Sequence, residues 1–421
     1  MSPRSLRAAI VSRYDGQLYP QHCEELCRQS LPAQHILDNK QRITLASFLA
    51  YFVMSAVLAP MPIISAPLAA TFGTSIEAAT AQFSWLTMGI LVGAIAALAV
   101  FDFLRVRTVF LLAYSAILLS LLALMFAGKL ATIGIALGVV GICCGLGLAA
   151  AALVISRTYE ADRRASMLVV TDASFSVAGF TFAAIATTLV VAGMHWATSY
   201  QLVAIVAVAI ILLALFSTFP TSSDTSSTTA SSERWPLPYW LCLTALFLYT
   251  LGQYSMLLWL PNYASSRLGA SADQAGRLVT MFWTGLFVAQ LLVAWWVVRI
   301  GVQRLVLVAG SMTCLFSIPL WTTDSLSALP VLAFLWGLAN FGLLKVVLSF
   351  ATQQVRIPTP RLVSALLLGA TLGTAVSPWV TSRIVLATDN FFILQFSTAC
   401  YATLAVLLFL AIRLQTPAAA D

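Results

Sequence analysis

Twelve stretches of this chain are long and apolar enough to cross a bilayer, and that decides what it can fold into. A spanning helix needs about 20 mostly apolar residues. Such runs occupy 43–72, 81–104, 108–127, 131–156, 167–194, 200–219, 237–263, 274–298, 305–321, 326–352, 362–382 and 391–412. The hydrocarbon core offers the backbone no hydrogen-bond partners, so each run must satisfy its own, as a helix. The predicted fold class is therefore an all-α membrane protein with twelve transmembrane helices. Composition agrees: charged residues make up 9% and hydrophobic residues 60%, where a soluble chain carries about 25% charged. So little polar surface excludes a soluble enzyme, a nucleic-acid binder and a disordered scaffold.

The longest polar break after the N-terminal tail reads PTSSDTSSTTASSER, at 220–234. It has too little apolar content to pack and reads as a flexible linker. The expected organisation is a polar tail (1–39), a six-helix bundle (40–219), the linker (220–235), a second six-helix bundle (236–415) and a short tail (416–421). The tail holds Cys23 and Cys27 in a C-x3-C spacing, with His22 and His35 nearby. That spacing matches no common zinc pattern, so the expectation is a reduced tail and no metal. The other five cysteines lie inside apolar runs, where they act as small hydrophobes.

Orientation follows from the basic residues. Of the 22 Lys and Arg, 17 fall on the side that carries both termini and four on the other, Lys129, Arg267, Arg277 and Arg383; Lys345 lies inside a span. The bias predicts that both termini are cytoplasmic. It also supports the count of twelve, because one false helix would scramble the alternation.

The two sets of six are punctuated alike. The link after the second run is FDFLRVR and after the eighth VRIGVQR; after the fourth it is RTYEADRR and after the tenth RIPTPR. A six-plus-six repeat about a central loop is a transporter layout. Four stretches carry a closer likeness: SFLAYFVMSAVL from Ser47, TYEADRRASMLVVTDASFSVAG from Thr158, LGQYSMLLWLPNYA from Leu251 and TQQVRIPTPRLV from Thr352. On these the chain, over about 40–415, resembles the major facilitator superfamily, in its TsgA-like type, a relative of the fucose–galactose–hexuronate proton symporters. The resemblance implies two pseudo-symmetric halves that rock about a central cavity, lined in part by the fifth and tenth helices. It also implies a cytoplasmic latch at Asp102, Arg105 and Arg107, with Arg163 and Arg164 beyond the fourth helix. The glycines of the superfamily's loop signature are missing here. So are the carboxylates that the fucose-type symporters carry in their first and fourth helices.

Ionisable groups inside the hydrocarbon region are costly and mark function by default. Two stand out, Asp172 in the fifth run and Lys345 in the tenth. On one reading Lys345 attracts an anionic or strongly hydrogen-bonding solute, and Asp172 pairs with it or carries a proton. On the other, Lys345 snorkels and Asp172 ties its helix end to Arg163 or Arg164. Uncharged candidates are Tyr249 and Gln253, four apart on one face, then Trp283 and Gln290 at positions i and i+7, with Phe287 between, and Asn340 beside Trp336. Amides and rings of this kind suit a sugar or a flat polar solute, or serve helix packing. In a continuous tenth helix, Asn340 and Lys345 would stand about 140° apart.

The expected function is secondary active transport of a small solute by alternating access. The solute is expected to be carbohydrate-like or an organic anion, with protons as the coupling ion if transport is coupled. Drug efflux by antiport and uncoupled facilitation are the alternatives. No G-x4-G-K-[ST] loop and no H-E-x-x-H or G-x-S-x-G motif is present, so an ATP-driven pump and an intramembrane enzyme are not expected. No cofactor is expected, the partners being solute, protons and lipid. The expected working unit is a monomer in the bacterial inner membrane.

Overall fold

The computed structural model describes residues 38–219, 235–340, 342–354 and 360–414. The Cys23/Cys27 tail, the Ser/Thr-rich linker at 220–234 and the 415–421 tail lie outside the described residues. From Arg42 onward the chain forms one compact unit. Its described elements are helices, and twelve are long and apolar enough to span a membrane.

The first span, Asn39–Leu58, is interrupted at Ala59–Pro60 and continues as Met61–Phe72. Pro60 has no N–H to give, which breaks the hydrogen-bond ladder there. The second to sixth spans are Ile76–Phe103, Val106–Phe126, Leu130–Thr158, Ala161–Val191 and Thr198–Leu215. The seventh and eighth are Leu237–Leu268 and Ala272–Ile300, and the ninth covers Val302–Thr322. The tenth is in two pieces, Leu329–Ala339 and Leu343–Thr352. The last two are Pro360–Ala387 and Asn390–Arg413.

The break in the tenth span corrects the expectation of a continuous helix. Gly342 adopts φ 59°, a left-handed conformation that ends one helix and starts another at little cost only for glycine. The side-chain amide of Asn340 donates back to the Trp336 carbonyl at 2.7 Å, and the Leu343 amide donates to the Asn340 carbonyl at 2.6 Å. The angle of about 140° between Asn340 and Lys345 therefore does not apply. The fifth helix also starts earlier than its apolar run, at Ala161. Asp172 is thus about 16 Å along the helix.

The two halves repeat each other in packing. In the first, the second span crosses the fourth, and the third packs on the fourth and sixth. In the second, the eighth crosses the tenth, and the ninth packs on the tenth and twelfth. Both crossings need glycine. A Cβ on Gly141 would overlap the Leu86 carbonyl, and one on Gly337 the Phe282 carbonyl; Gly89 and Gly285 face them under equal constraint. Small residues of this kind let helix backbones approach closely in lipid. Gly73 and Gly269 end the first and seventh spans in left-handed conformations. Ser75 and Ser271 then cap the second and eighth, each accepting a bond from an amide three residues on. The pairs Gly73/Gly269, Gly89/Gly285 and Gly141/Gly337 are all separated by one interval.

The halves meet along two seams, the fifth span against the eighth and the second against the eleventh. On the second seam the Thr87 hydroxyl donates to the Ala375 carbonyl at 2.9 Å. On the side away from the termini the halves close further. Ala59 and Ile63 share a core with Leu257 and Leu260, and Leu258 and Trp259 join one with Met61 and Ile64. Outward-facing side chains are apolar around the body, with Leu98, Leu119, Phe126, Ile205 and Leu386 all well exposed, as a lipid belt requires.

Candidate functional site: an ion pair between the halves

The seam between the fifth and eighth spans builds the site. Read from the far side inwards, Thr187 lies against Gly276, Phe180 against Phe287 at 5.7 Å between centroids, and Gly179 under the Trp283 ring. A Cβ on Gly179 would overlap that indole. Phe175 meets the same ring edge-on at 5.7 Å. One turn deeper, the Ser176 hydroxyl donates to Gln290 Oε1 at 2.8 Å, and Gln290 Nε2 donates to Asp172 Oδ2 at 3.3 Å. Ser176 thereby fixes which way the amide of Gln290 points. Trp283, Phe287 and Gln290 all face the first half, as their spacing implies.

Lys345 completes the site from the tenth span. Its ammonium donates to Asp172 Oδ2 in an ion pair across the two halves. Lys345 stands in the first turn of the half-helix Leu343–Thr352. A cation there opposes the helix dipole, so the carboxylate of Asp172 is its compensating charge. The pair is not sealed off: the side chains are 38% and 29% exposed for Lys345 and Asp172. They lie on the terminal side of the contacts that close the far side. Arg163, one of the alternative partners read from the sequence, makes no ion pair with Asp172. Arg163 is exposed near the start of the same helix, and the Arg164 side chain lies outside the described residues.

Around the pair are two tyrosines, Tyr51 of the first span and Tyr249 of the seventh, both within the field of the Asp172 charge. Tyr249 interacts with Gln253 one turn on, and both are buried. The Trp283 Nε1 donor is buried and finds no hydrogen-bond partner among the described residues. Asn340 stands apart. It is fully buried in the second half, where Trp336 packs on Phe282 and Tyr401. The sequence reading missed Ser176, Phe175 and Tyr51. Ser176, one turn from Asp172 on its own helix, could have been found by i, i+4 spacing; Tyr51 carries no such signal.

The described residues of the implied latch, Asp102, Arg105, Arg107 and Arg163, make no ion pair with one another. Arg107 donates to the Ala214 carbonyl at 3.1 Å and the Leu215 carbonyl at 2.7 Å. It satisfies the open end of the sixth helix and favours its dipole. Asp102 and Arg105 are exposed, and neither makes an ion pair with another described residue. On the opposite face, a cavity of about 460 Å³ is lined by Glu77, Arg267, Asp389 and Phe391, with Arg267 stacked over the Phe391 ring at 4.4 Å.

Residues 43–269 match the Major Facilitator Superfamily. The chain belongs to that superfamily. Among curated proteins it is 26% identical over 377 residues to Protein TsgA of Escherichia coli, covering 89% of this chain and 95% of that one. To Protein TsgA of Shigella sonnei it is 27% identical over the same coverage. Among solved structures it superposes on a mutant of the nucleoside transporter NupG with a TM-score of 0.71, at 10% identity, over 89% of this chain and 100% of that one. On a D-xylose-proton symporter the TM-score is 0.68, at 14% identity, over 88% and 96%. As a member of the superfamily with twelve spans, the chain is a secondary transporter and not an enzyme, and a multi-pass protein of the inner membrane.

Proposed function

We propose that this transporter carries a small polar solute by alternating access around Asp172 and Lys345, with a proton exchanging on Asp172. The observation that carries the reading is the ion pair itself, one partner from each half, at membrane depth and partly exposed. A charge pair at that depth is costly unless it is used. Solute and proton can each compete for one member of it. Protonation of Asp172 cancels the attraction and frees Lys345; solute on Lys345 displaces the carboxylate. Gln290, held by Ser176, and Lys345 donate to the same oxygen of Asp172, while Tyr249, Gln253 and the open Trp283 donor supply neutral contacts. With the termini cytoplasmic, as the basic-residue bias predicts, the contacts of Ala59 and Ile63 with Leu257 and Leu260 lie on the outward side.

The test uses purified protein in liposomes and a solute found by thermal-shift screening. Lys345→Gln should abolish uptake while membrane expression stays at the wild-type level. An uncoupler should collapse accumulation. Unchanged uptake kinetics in Lys345→Gln would remove the pair from the mechanism.

A further inference from the structure

The charges at the site fix more than its location. Asp172, eleven residues past the start of the fifth helix, and Lys345, seven residues before the end of the tenth span, are paired across the two halves. With the pair formed, the site carries no net charge. An unpaired charge carried through the closed, low-dielectric form is expensive, enough to slow a crossing about a hundredfold. Only states with zero net charge at the site then reorient readily.

The permitted states can be enumerated. The empty carrier reorients with Asp172 ionised and paired to Lys345. A proton alone leaves Lys345 unpaired, net one positive, and the carrier stalls. An anion alone leaves one negative charge, and it stalls again. Proton and monoanion together restore zero, with Asp172 neutral and the anion on the Lys345 ammonium. A neutral solute needs no proton to cross, and a dianion is left one charge short. We infer that the solute is a monoanion, taken up with one proton per anion in a step that moves no net charge. This rests on the pair being the transport site, and it goes further by deriving the solute's charge and the stoichiometry from the same two residues. Neither leak arises, because the proton and the anion each need the other to complete the neutral state.

The full chain in liposomes with a trapped pH dye tests this. Gluconate, quinate and lactate serve as monoanions, D-xylose as a neutral probe and succinate as a dianion. An inward gradient of at least one monoanion should acidify the lumen, at a rate unchanged when valinomycin and potassium impose an inside-negative potential. In Asp172→Asn, Lys345 is permanently unpaired, so the empty carrier stalls but the anion-loaded one does not. Net uptake should fall about a hundredfold, while exchange of labelled for unlabelled anion persists and becomes insensitive to pH. The inference is overturned if the potential accelerates uptake, if xylose drives proton entry, if no monoanion moves protons, or if Asp172→Asn loses exchange together with net uptake while still folded. A wild-type response from both Asp172→Asn and Lys345→Gln is a different failure, since it would show that the pair is not the transport site at all.

Discussion

At the residue scale, the pairing of Asp172 with Lys345 could be half foreseen. Both residues stood out because charges are rare at membrane depth, and their partnership was one of two readings. What the sequence could not supply was the distance between helices 173 residues apart. Nor could it show that Gln290 would join them, because its face on the eighth span is legible but not the neighbour it meets. The chain also concealed Gly342. One glycine in an apolar run is unremarkable, yet its left-handed backbone splits the tenth span and takes Asn340 out of the helical register of Lys345. Gly342→Ala should therefore lower thermal stability by about 1–2 kcal/mol, the cost of a left-handed non-glycine residue. A melting curve of the detergent-solubilised protein checks this.

At the scale of helices, glycine spacing sets how closely spans cross. Gly134, Gly138, Gly141 and Gly145 recur at three- and four-residue steps along the fourth span, a spacing that makes a groove, but spacing alone does not name its occupant, the second span with Gly89 and Gly93. The matching crossing of the eighth and tenth spans went unread because each presents only one glycine there, Gly285 and Gly337. Their common interval with Gly89 and Gly141 was present in the sequence and would have exposed it. Gly141→Leu and Gly337→Leu should each destabilise by about 1–3 kcal/mol or more, since a backbone carbonyl rather than a flexible side chain must move. Gly128→Ala, with nothing within 4 Å of its Cβ, should leave the melting temperature unchanged. Equal stability of all three variants would mean that the crossings are loose.

For the whole molecule, fold and count of spans were legible because lipid leaves a chain few choices. The apolar runs and the alternation of basic residues were enough. The conformational state was not legible, because a sequence lists helices without saying which ends touch. Closure of the far side rests partly on Gly276, where any Cβ would overlap Thr187. Gly276→Leu should wedge the outer ends apart and shift the population outward-open. Spin labels placed on the outer ends of the fifth and eighth spans should then report longer distances than in the wild type. Unchanged distances would mean that the closure does not depend on this contact.

The inter-half ion pair also sets a problem for synthesis. A ribosome adds roughly 5–20 residues per second, and Lys345 follows Asp172 by 173 residues. For roughly 10–35 s, then, the fifth span must sit in the membrane, or wait at its edge, without its counter-charge. During that interval Asp172 has to be protonated, hydrated or shielded by the insertion machinery. A chain truncated before the tenth span should carry a persistent defect at that position and be recognised as unfinished.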